Sequence, residues 1–203
     1  MIVRLIKNKV FIVLFLCIGT LYCQNYYGLK YAEKTFEIES LDPINSENTW
    51  RQYRFQELFN ARLWYRDNKL NKQPDLVESL PDKSSSKEIV LKLRDDCFWQ
   101  DGTKITVDDI IFSFDLYRKE ERKEFSKVAD RINVEKIDDL TFKLVPSEVK
   151  TPSFYKFVDE QIPLLYILPQ HKIGSMGRIL PGSEYSVQPL GAGPFRIDSI
   201  NTL

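Results

Sequence analysis

The sequence predicts an α+β fold of mixed helix and strand, built from hairpins with helices between them and not from regular βαβ units. Three observations carry this. Ile89, Leu91 and Leu93 alternate with Val90, Lys92 and Arg94, giving a strand with one apolar face. Val107, Ile110, Ile111 and Phe114 then fall at i, i+3, i+4 and i+7, the buried stripe of a helix. Finally, Ile132 to Ile137 and Leu140 to Val145 flank Asp138-Asp139 as the two arms of a β-hairpin.

The remaining elements follow in chain order. Phe36 to Ile44 alternates apolar and polar residues and breaks at Asp42-Pro43, a strand entering a turn. Asn48 or Thr49 caps a helix that carries Trp50, Tyr53 and Glu57/Leu58 and ends near Asn60. Leu63-Trp64-Tyr65 reads as a short strand before the polar turn Arg66 to Lys69. Pro74 to Pro81 is extended between prolines, and Asp82 to Lys87 is a surface loop. Asp101-Gly102 is a tight turn, because glycine tolerates the positive φ that such a turn needs. Thr106 opens the helix, with Asp109 placed to reach back to it as in a capping box. Lys119 to Lys127 is a charged connection, and Phe154 to Val158 and Leu164 to Leu168 are apolar segments among prolines. Gly191-Ala192-Gly193-Pro194 is a turn entering a last strand. No linker or repeat divides the chain.

Composition narrows the function. The 203 residues hold 29 Lys+Arg, 29 Asp+Glu, one His and three Cys, with 43% hydrophobic and 13% aromatic residues. That is a chain with material for a real core. Its charge is balanced, so no basic surface is set up to displace counterions from phosphates, and nucleic acid is not an expected partner.

The amino terminus is expected to be a secretory leader, residues 1–23. Arg4, Lys7 and Lys9 precede the uncharged run Val10 to Ile18, and the apolar stretch to Cys23 is shorter than the roughly 17–25 residues of a spanning helix. An uncleaved membrane anchor is the alternative. Cleavage after Cys23 is expected, and Cys23 is also the candidate for lipid attachment, although Tyr22 is bulky beside it. Processing would leave 180 residues with 26 Lys+Arg against 29 Asp+Glu, a net charge of −3. Cys17 and Cys23 lie in the leader, so Cys97 alone would remain and no internal disulfide could form.

Catalytic chemistry has little to stand on. His171, the single histidine, follows Pro169 without a His-x-x-His or Cys-x-x-Cys partner. The acids Asp95-Asp96, Asp101, Asp108-Asp109 and Asp138-Asp139 have simpler readings as strand, turn, helix-start and hairpin residues. Adjacent acids on a strand point to opposite faces, so Asp95 and Asp96 do not readily form a glycosidase pair. Gly191-Ala192-Gly193 leads to a strand and lacks a following Lys-Ser/Thr, so it is a turn and not a phosphate loop. Neither a metal site nor a cofactor is expected.

The run from Ile89 to Phe114, with Phe98-Trp99-Gln100-Asp101-Gly102-Thr103 and Thr106-Val107-Asp108-Asp109 inside it, resembles the signature region of the family 5 extracellular solute-binding proteins. These are the oligopeptide- and dipeptide-binding components of ABC importers. Leu41-Asp42-Pro43, Glu57-Leu58-Phe59, Pro74 to Glu78, Ile137 to Leu144, Leu168 to His171 and Pro189 to Arg196 resemble further family segments in the same order. Ser79 and Ala192 are mild departures, the latter standing where Thr is common. Family members are well over twice as long, with a second lobe.

The resemblance implies a periplasmic-binding-protein-like lobe of class II type, incomplete here: residues 24–203 would be an N-terminal lobe portion lacking its second lobe. It implies a non-enzymatic, monomeric receptor, periplasmic or anchored on the outer face of the cytoplasmic membrane. Such a receptor takes a peptide or small solute and presents it to an ABC permease. The segment after Leu41-Asp42-Pro43 lines the family's cleft, which selects Asn48, Thr49 and Trp50 as substrate-binding residues; a plain cap at Asn48/Thr49 with Trp50 in the core weighs equally. One lobe supplies half a cleft, so no tight peptide binding is expected from these residues alone. A secreted carboxylate-pair hydrolase and a structural envelope domain are the alternatives from other classes. The particular solute, whether peptide, nickel complex or sugar, is not set by the sequence.

Overall fold

A computed structural model describes residues 2–7, 28–32, 40–44, 50–82, 88–119, 123–147 and 153–201. In chain order the elements are β1 (Ile2–Lys7), β2 (Gly28–Ala32), α1 (Trp50–Phe59), β3 (Trp64–Arg66), β4 (Lys72–Pro74), β5 (Ile89–Lys92), α2 (Val107–Lys119) and α3 (Lys123–Ala129). These are followed by β6 (Ile132–Lys136), β7 (Thr141–Pro146), α4 (Phe154–Gln161) with a 3₁₀ turn at Ile162–Leu164, α5 (Gln170–Ile173), α6 (Glu184–Val187) and β8 (Phe195–Asn201). Helix and strand are mixed, and every strand pair is antiparallel.

The central sheet has the order β5-β7-β6. On β5, Ile89 and Leu91 are buried while Val90 and Lys92 are exposed, the alternation that a half-buried strand requires. Register pairs Ile89 with Leu144 and Leu91 with Phe142, so the apolar faces of β5 and β7 coincide. Asp138 shapes the β6–β7 turn by accepting the backbone N–H groups of Leu140 and Thr141. The inner face packs on the α2 stripe of Val107, Ile110, Phe114 and Tyr117, and the core continues through Phe154 and Val158 to Leu165, Ile167 and Leu168. Each such side chain is worth about 1.5–3 kcal/mol once buried.

Helix α2 starts as its sequence requires. Asp109 at N3 accepts the Thr106 N–H at 3.0 Å, which is half of the expected capping box. The Val107 N–H donates to Asp139 O, so the helix start is seated on the β6–β7 turn. Gly102 has φ +91°, and its N–H closes the turn onto Trp99 O at 2.9 Å.

Two elements differ from the sequence expectation. The charged connection Lys119 to Lys127 holds helix α3: Phe125, Val128 and Ala129 are buried at i, i+3 and i+4, with the Phe125 ring 5.2 Å from that of Tyr117. Lys72–Pro74, which ends where the segment expected to be extended begins, is a strand paired with β3. The extended segment also joins the sheet through a Val77–Leu93 bridge. His171 lies in the short helix α5.

A second sheet has the order β2-β1-β8. Its central strand, β1, lies within the residues expected to form the leader; residues 8–27, Cys23 among them, lie outside the described residues. The strand expected at Phe36 to Ile44 is described only for Ser40 to Ile44, which form the turn.

Candidate functional site

Of the expected solute contacts, only Trp50 falls among the described residues. It is the first residue of α1, and Asn48 and Thr49 lie outside the described residues. What the structure shows in detail is how the preceding turn is held to the carboxyl-terminal half of α1. Ser40, Asp42, Gln56 and Asn60 are all buried. Asp42 accepts the Ser40 hydroxyl and, at 2.9 Å, the Ile44 N–H, closing the Leu41-Asp42-Pro43 turn. From α1, the Gln56 side-chain amide donates to Leu41 O at 2.5 Å, and its oxygen accepts the Asn60 amide. The Leu41 N–H donates to Ser186 O in α6 at 2.6 Å. Beneath lie Leu41, Phe55, Phe59 and Ile197, with the two Phe rings packed edge to face at 5.1 Å. The turn and the helix on either side of Asn48 and Thr49 are thus tied together by satisfied buried polar groups.

The carboxyl-terminal end of α1 meets a second polar knot. The Arg62 guanidinium stacks on the Tyr166 ring at 4.4 Å, donates to the Tyr166 hydroxyl and pairs with Glu57 at 3.1 Å. Burial disfavours the Arg62 charge, but Tyr166 and Glu57 outweigh it and raise its pKa. The Tyr117 hydroxyl donates to Tyr166 O at 2.9 Å, and burial pushes the phenols of Tyr117 and Tyr185 up. Asp75, which accepts the Arg62 N–H at 2.8 Å, is also pushed up by burial, against the pull of Arg62 and Arg94.

The signature residues form a third knot. Asp109 is buried; besides Thr106 it accepts the Gln170 N–H at 2.9 Å and the Trp99 indole N–H at 3.4 Å. Burial raises its pKa, and these three donors hold the rise in check. His171 Nε2 lies 2.8 Å from Asp101 Oδ2. Burial pushes Asp101 up, but the Thr103 N–H and His171 override it and leave the carboxyl below its usual value. Trp99, Asp101, Gly102 and Asp109 therefore join the turn, the α2 start and α5. Asp96 forms a two-pronged pair with Arg94 on the surface at 2.8 and 2.9 Å, which is ordinary ion-pair geometry. Cys97 is raised by burial, as for a structural thiol. Among the described residues, no three His, Cys, Asp or Glu side chains group as a metal ion would need, and no helix is long and apolar enough to cross a membrane.

Residues 71–202 match the sequence profile of the bacterial extracellular solute-binding proteins, family 5 middle. The chain belongs to that family. Its members and structural neighbours are binding proteins and not enzymes, they act outside the cytoplasm, and the fold is that of a periplasmic binding protein. A binding protein of Brucella melitensis is 25% identical over 126 residues, which are 62% of this chain and 20% of the relative. Among solved structures, Campylobacter jejuni NikZ in complex with Ni(L-His) superposes with a TM-score of 0.63 at 25% identity, over 79% of this chain and 31% of that one. MoaA of Agrobacterium tumefaciens R10, in complex with mannopinic acid, gives a TM-score of 0.63 at 26% identity, over 79% and 32%. Bacillus subtilis AppA, bound to a nonapeptide, shares the fold with a TM-score of 0.65 at 22% identity, over 79% and 32%. The chain thus spans about a fifth of the curated relative and under a third of these solved structures.

Sequence reasoning located the Leu41-Asp42-Pro43 turn, α1 and the signature helix, but not the buried chain through Gln56 and Asn60 or the Arg62–Tyr166 stack. Polar residues at helical spacing look like a solvated face, and Arg62 and Tyr166 are 104 residues apart. The glycines at 191 and 193 were a usable signal whose contact partner the sequence does not reveal.

Proposed function

We propose that this chain is part of the extracytoplasmic substrate-binding component of a peptide-type ABC importer, holding a peptide or similar small solute for delivery to a membrane permease. The family match over residues 71–202 carries this reading. Bacillus subtilis AppA, which shares this fold, was solved in complex with a nonapeptide, and that complex supports a peptide as the solute. The Ni(L-His) and mannopinic acid complexes support a second reading, in which the solute is a metal chelate or another small organic molecule. Export by a leader of residues 1–23, with Cys23 as the lipid attachment point if the membrane retains the protein, belongs to the same proposal, as does action as a monomer.

Within it, Asn48, Thr49 and Trp50 contact the solute. In sequence, Asn48 and Thr49 follow the Leu41-Asp42-Pro43 turn and Trp50 begins α1, and turn and helix are pinned to each other through Gln56 and Leu41 O. The backbone of a bound peptide is held by hydrogen bonds and cleft burial, and closure of the two lobes reports occupancy to the permease. The deciding experiment is Trp50→Ala in the product of the complete reading frame, followed by calorimetric titration and thermal melting. A loss of at least about tenfold in solute affinity, roughly 1.4 kcal/mol, at unchanged Tm is expected. Unchanged affinity with a lowered Tm makes Trp50 a core residue.

A further inference from the structure

Asp101-Gly102 is the only Asp-Gly or Asn-Gly bond in the chain. Such a bond is the one most open to attack by its own nitrogen on the preceding side chain, because glycine has no Cβ to obstruct the approach. The Gly102 nitrogen adds to Asp101 Cγ; a C–N bond forms, and the carboxyl hydroxyl leaves as water with the amide proton. The five-membered imide then takes up water at either carbonyl and reopens as aspartate or isoaspartate. In isoaspartate the backbone runs through the former side chain and is one methylene longer. Water is the only other reactant.

The bond lies at the exposed tip of a closed loop, where water has free access. The Trp99 N–H donates to Thr103 O at 2.8 Å and the Ile105 N–H to Cys97 O at 3.1 Å. Three contacts oppose the attack. The Gly102 N–H donates to Trp99 O at 2.9 Å and must be released before the nitrogen can react. Asp101 Oδ1 accepts the Thr103 N–H at 3.0 Å, and Oδ2 lies 2.8 Å from His171 Nε2, so both carboxyl oxygens are held. The hydroxyl leaves as water only from a protonated carboxyl; burial favours that form, but Thr103 and His171 outweigh it and keep Asp101 below its usual pKa. The first two contacts are local to the turn. His171 reaches in from 70 residues away, on a short helix that is itself anchored by the Gln170 N–H on Asp109 at 2.9 Å and by the buried Ile173.

We propose that Asp101 is a modification site, the position at which isoaspartate forms in this protein, and that His171 guards it by holding the carboxylate in the turn. This goes beyond the solute-binding reading and does not depend on it. The covalent step runs in the fraction of molecules whose turn has opened locally, and its rate follows that fraction because reclosing is far faster than the chemistry. The lengthened backbone then breaks the Trp99–Thr103 closure.

The test incubates the product of the complete reading frame at neutral pH, folded and in urea. Isoaspartate is read in the tryptic peptide from Asp95 to Lys104, with fragmentation that assigns it to Asp101, and melting curves establish that each variant is folded. The folded protein is expected to isomerise at least about tenfold more slowly than the unfolded chain. His171→Phe keeps a ring beside Trp99 but has no donor, and is expected to speed the folded reaction at least about threefold. His171→Gln, which keeps a donor, and Lys172→Ala, at the exposed neighbour on α5, are expected to leave the rate unchanged. Should His171→Phe fail to fold, His171→Ala takes its place. Equal rates in the folded and unfolded protein overturn the proposal, as does an unaltered rate in the folded variant without a donor. An equal acceleration in His171→Gln or Lys172→Ala also overturns it, since general loosening of α5 would then be the cause.

Discussion

Gly191 and Asp101 show two ways in which one residue acts on the fold. At Gly191 the effect is steric. The conformation is open to other residues, but the place of a side chain is taken by Phe59 O, 1.7 Å away. Backbone cannot yield as a flexible side chain can, so Gly191→Ala is expected to cost at least about 3 kcal/mol, the upper end of overpacking effects. A melting curve matching that of the unsubstituted protein would refute the contact. At Asp101 the effect is electrostatic. Its folded pKa lies below the reference 3.8 because the Thr103 N–H and His171 outweigh burial. A depressed carboxyl pKa stabilises the fold above the unfolded value, and this contribution is lost as pH falls through the folded one. The stability gap between the unsubstituted protein and Asp101→Asn should therefore be full at neutral pH and close as pH drops below 3.8. Urea titrations across pH measure it, and a gap independent of pH contradicts the assignment.

At the scale of elements, β5, α2 and the β6–β7 hairpin were legible because each carries its own instruction: a strict period, a cap or a turn dipeptide within a few residues. Helix α3 was not, because Lys123, Glu124, Ser126 and Lys127 mask the three positions that bury. Strand β4, Lys72-Gln73-Pro74, has no apolar alternation and exists by pairing with Trp64–Arg66. The tie between the Leu41-Asp42-Pro43 turn and α1 was hidden for a related reason: Gln56 bonds a carbonyl 15 residues away. The β2-β1-β8 sheet carries its own prediction. Both neighbours run antiparallel to β1 and hence parallel to each other, with Tyr31 and Ile200 both opposite Val3. Two strand spacings, about 9–10 Å, separate them, beyond disulfide reach. If processing after Cys23 removes β1, β2 is expected to close the gap and pair with β8. Tyr31→Cys with Ile200→Cys, in a background lacking Cys17 and Cys23, should then crosslink in the processed chain and not in the unprocessed one. Crosslinking in neither would mean that β2 and β8 do not meet.

At the scale of the molecule, two hydrophobic clusters organise the described residues. The larger joins the β5-β7-β6 sheet to α2, α3 and α4; the smaller seats α1 against β8. Polar knots at Leu41–Gln56, Arg62–Tyr166 and Asp109–Gln170 cross between elements and limit the ways they can shift. Such ties would suit the role proposed above, in which one lobe closes as a rigid body on a solute. The most direct measurement is calorimetric titration of the product of the complete reading frame with a nine-residue random-sequence peptide pool. Saturable binding with a Kd of roughly 10 μM or tighter, about −7 kcal/mol, is the result expected; the absence of saturable heat up to about 1 mM peptide contradicts a peptide-type receptor.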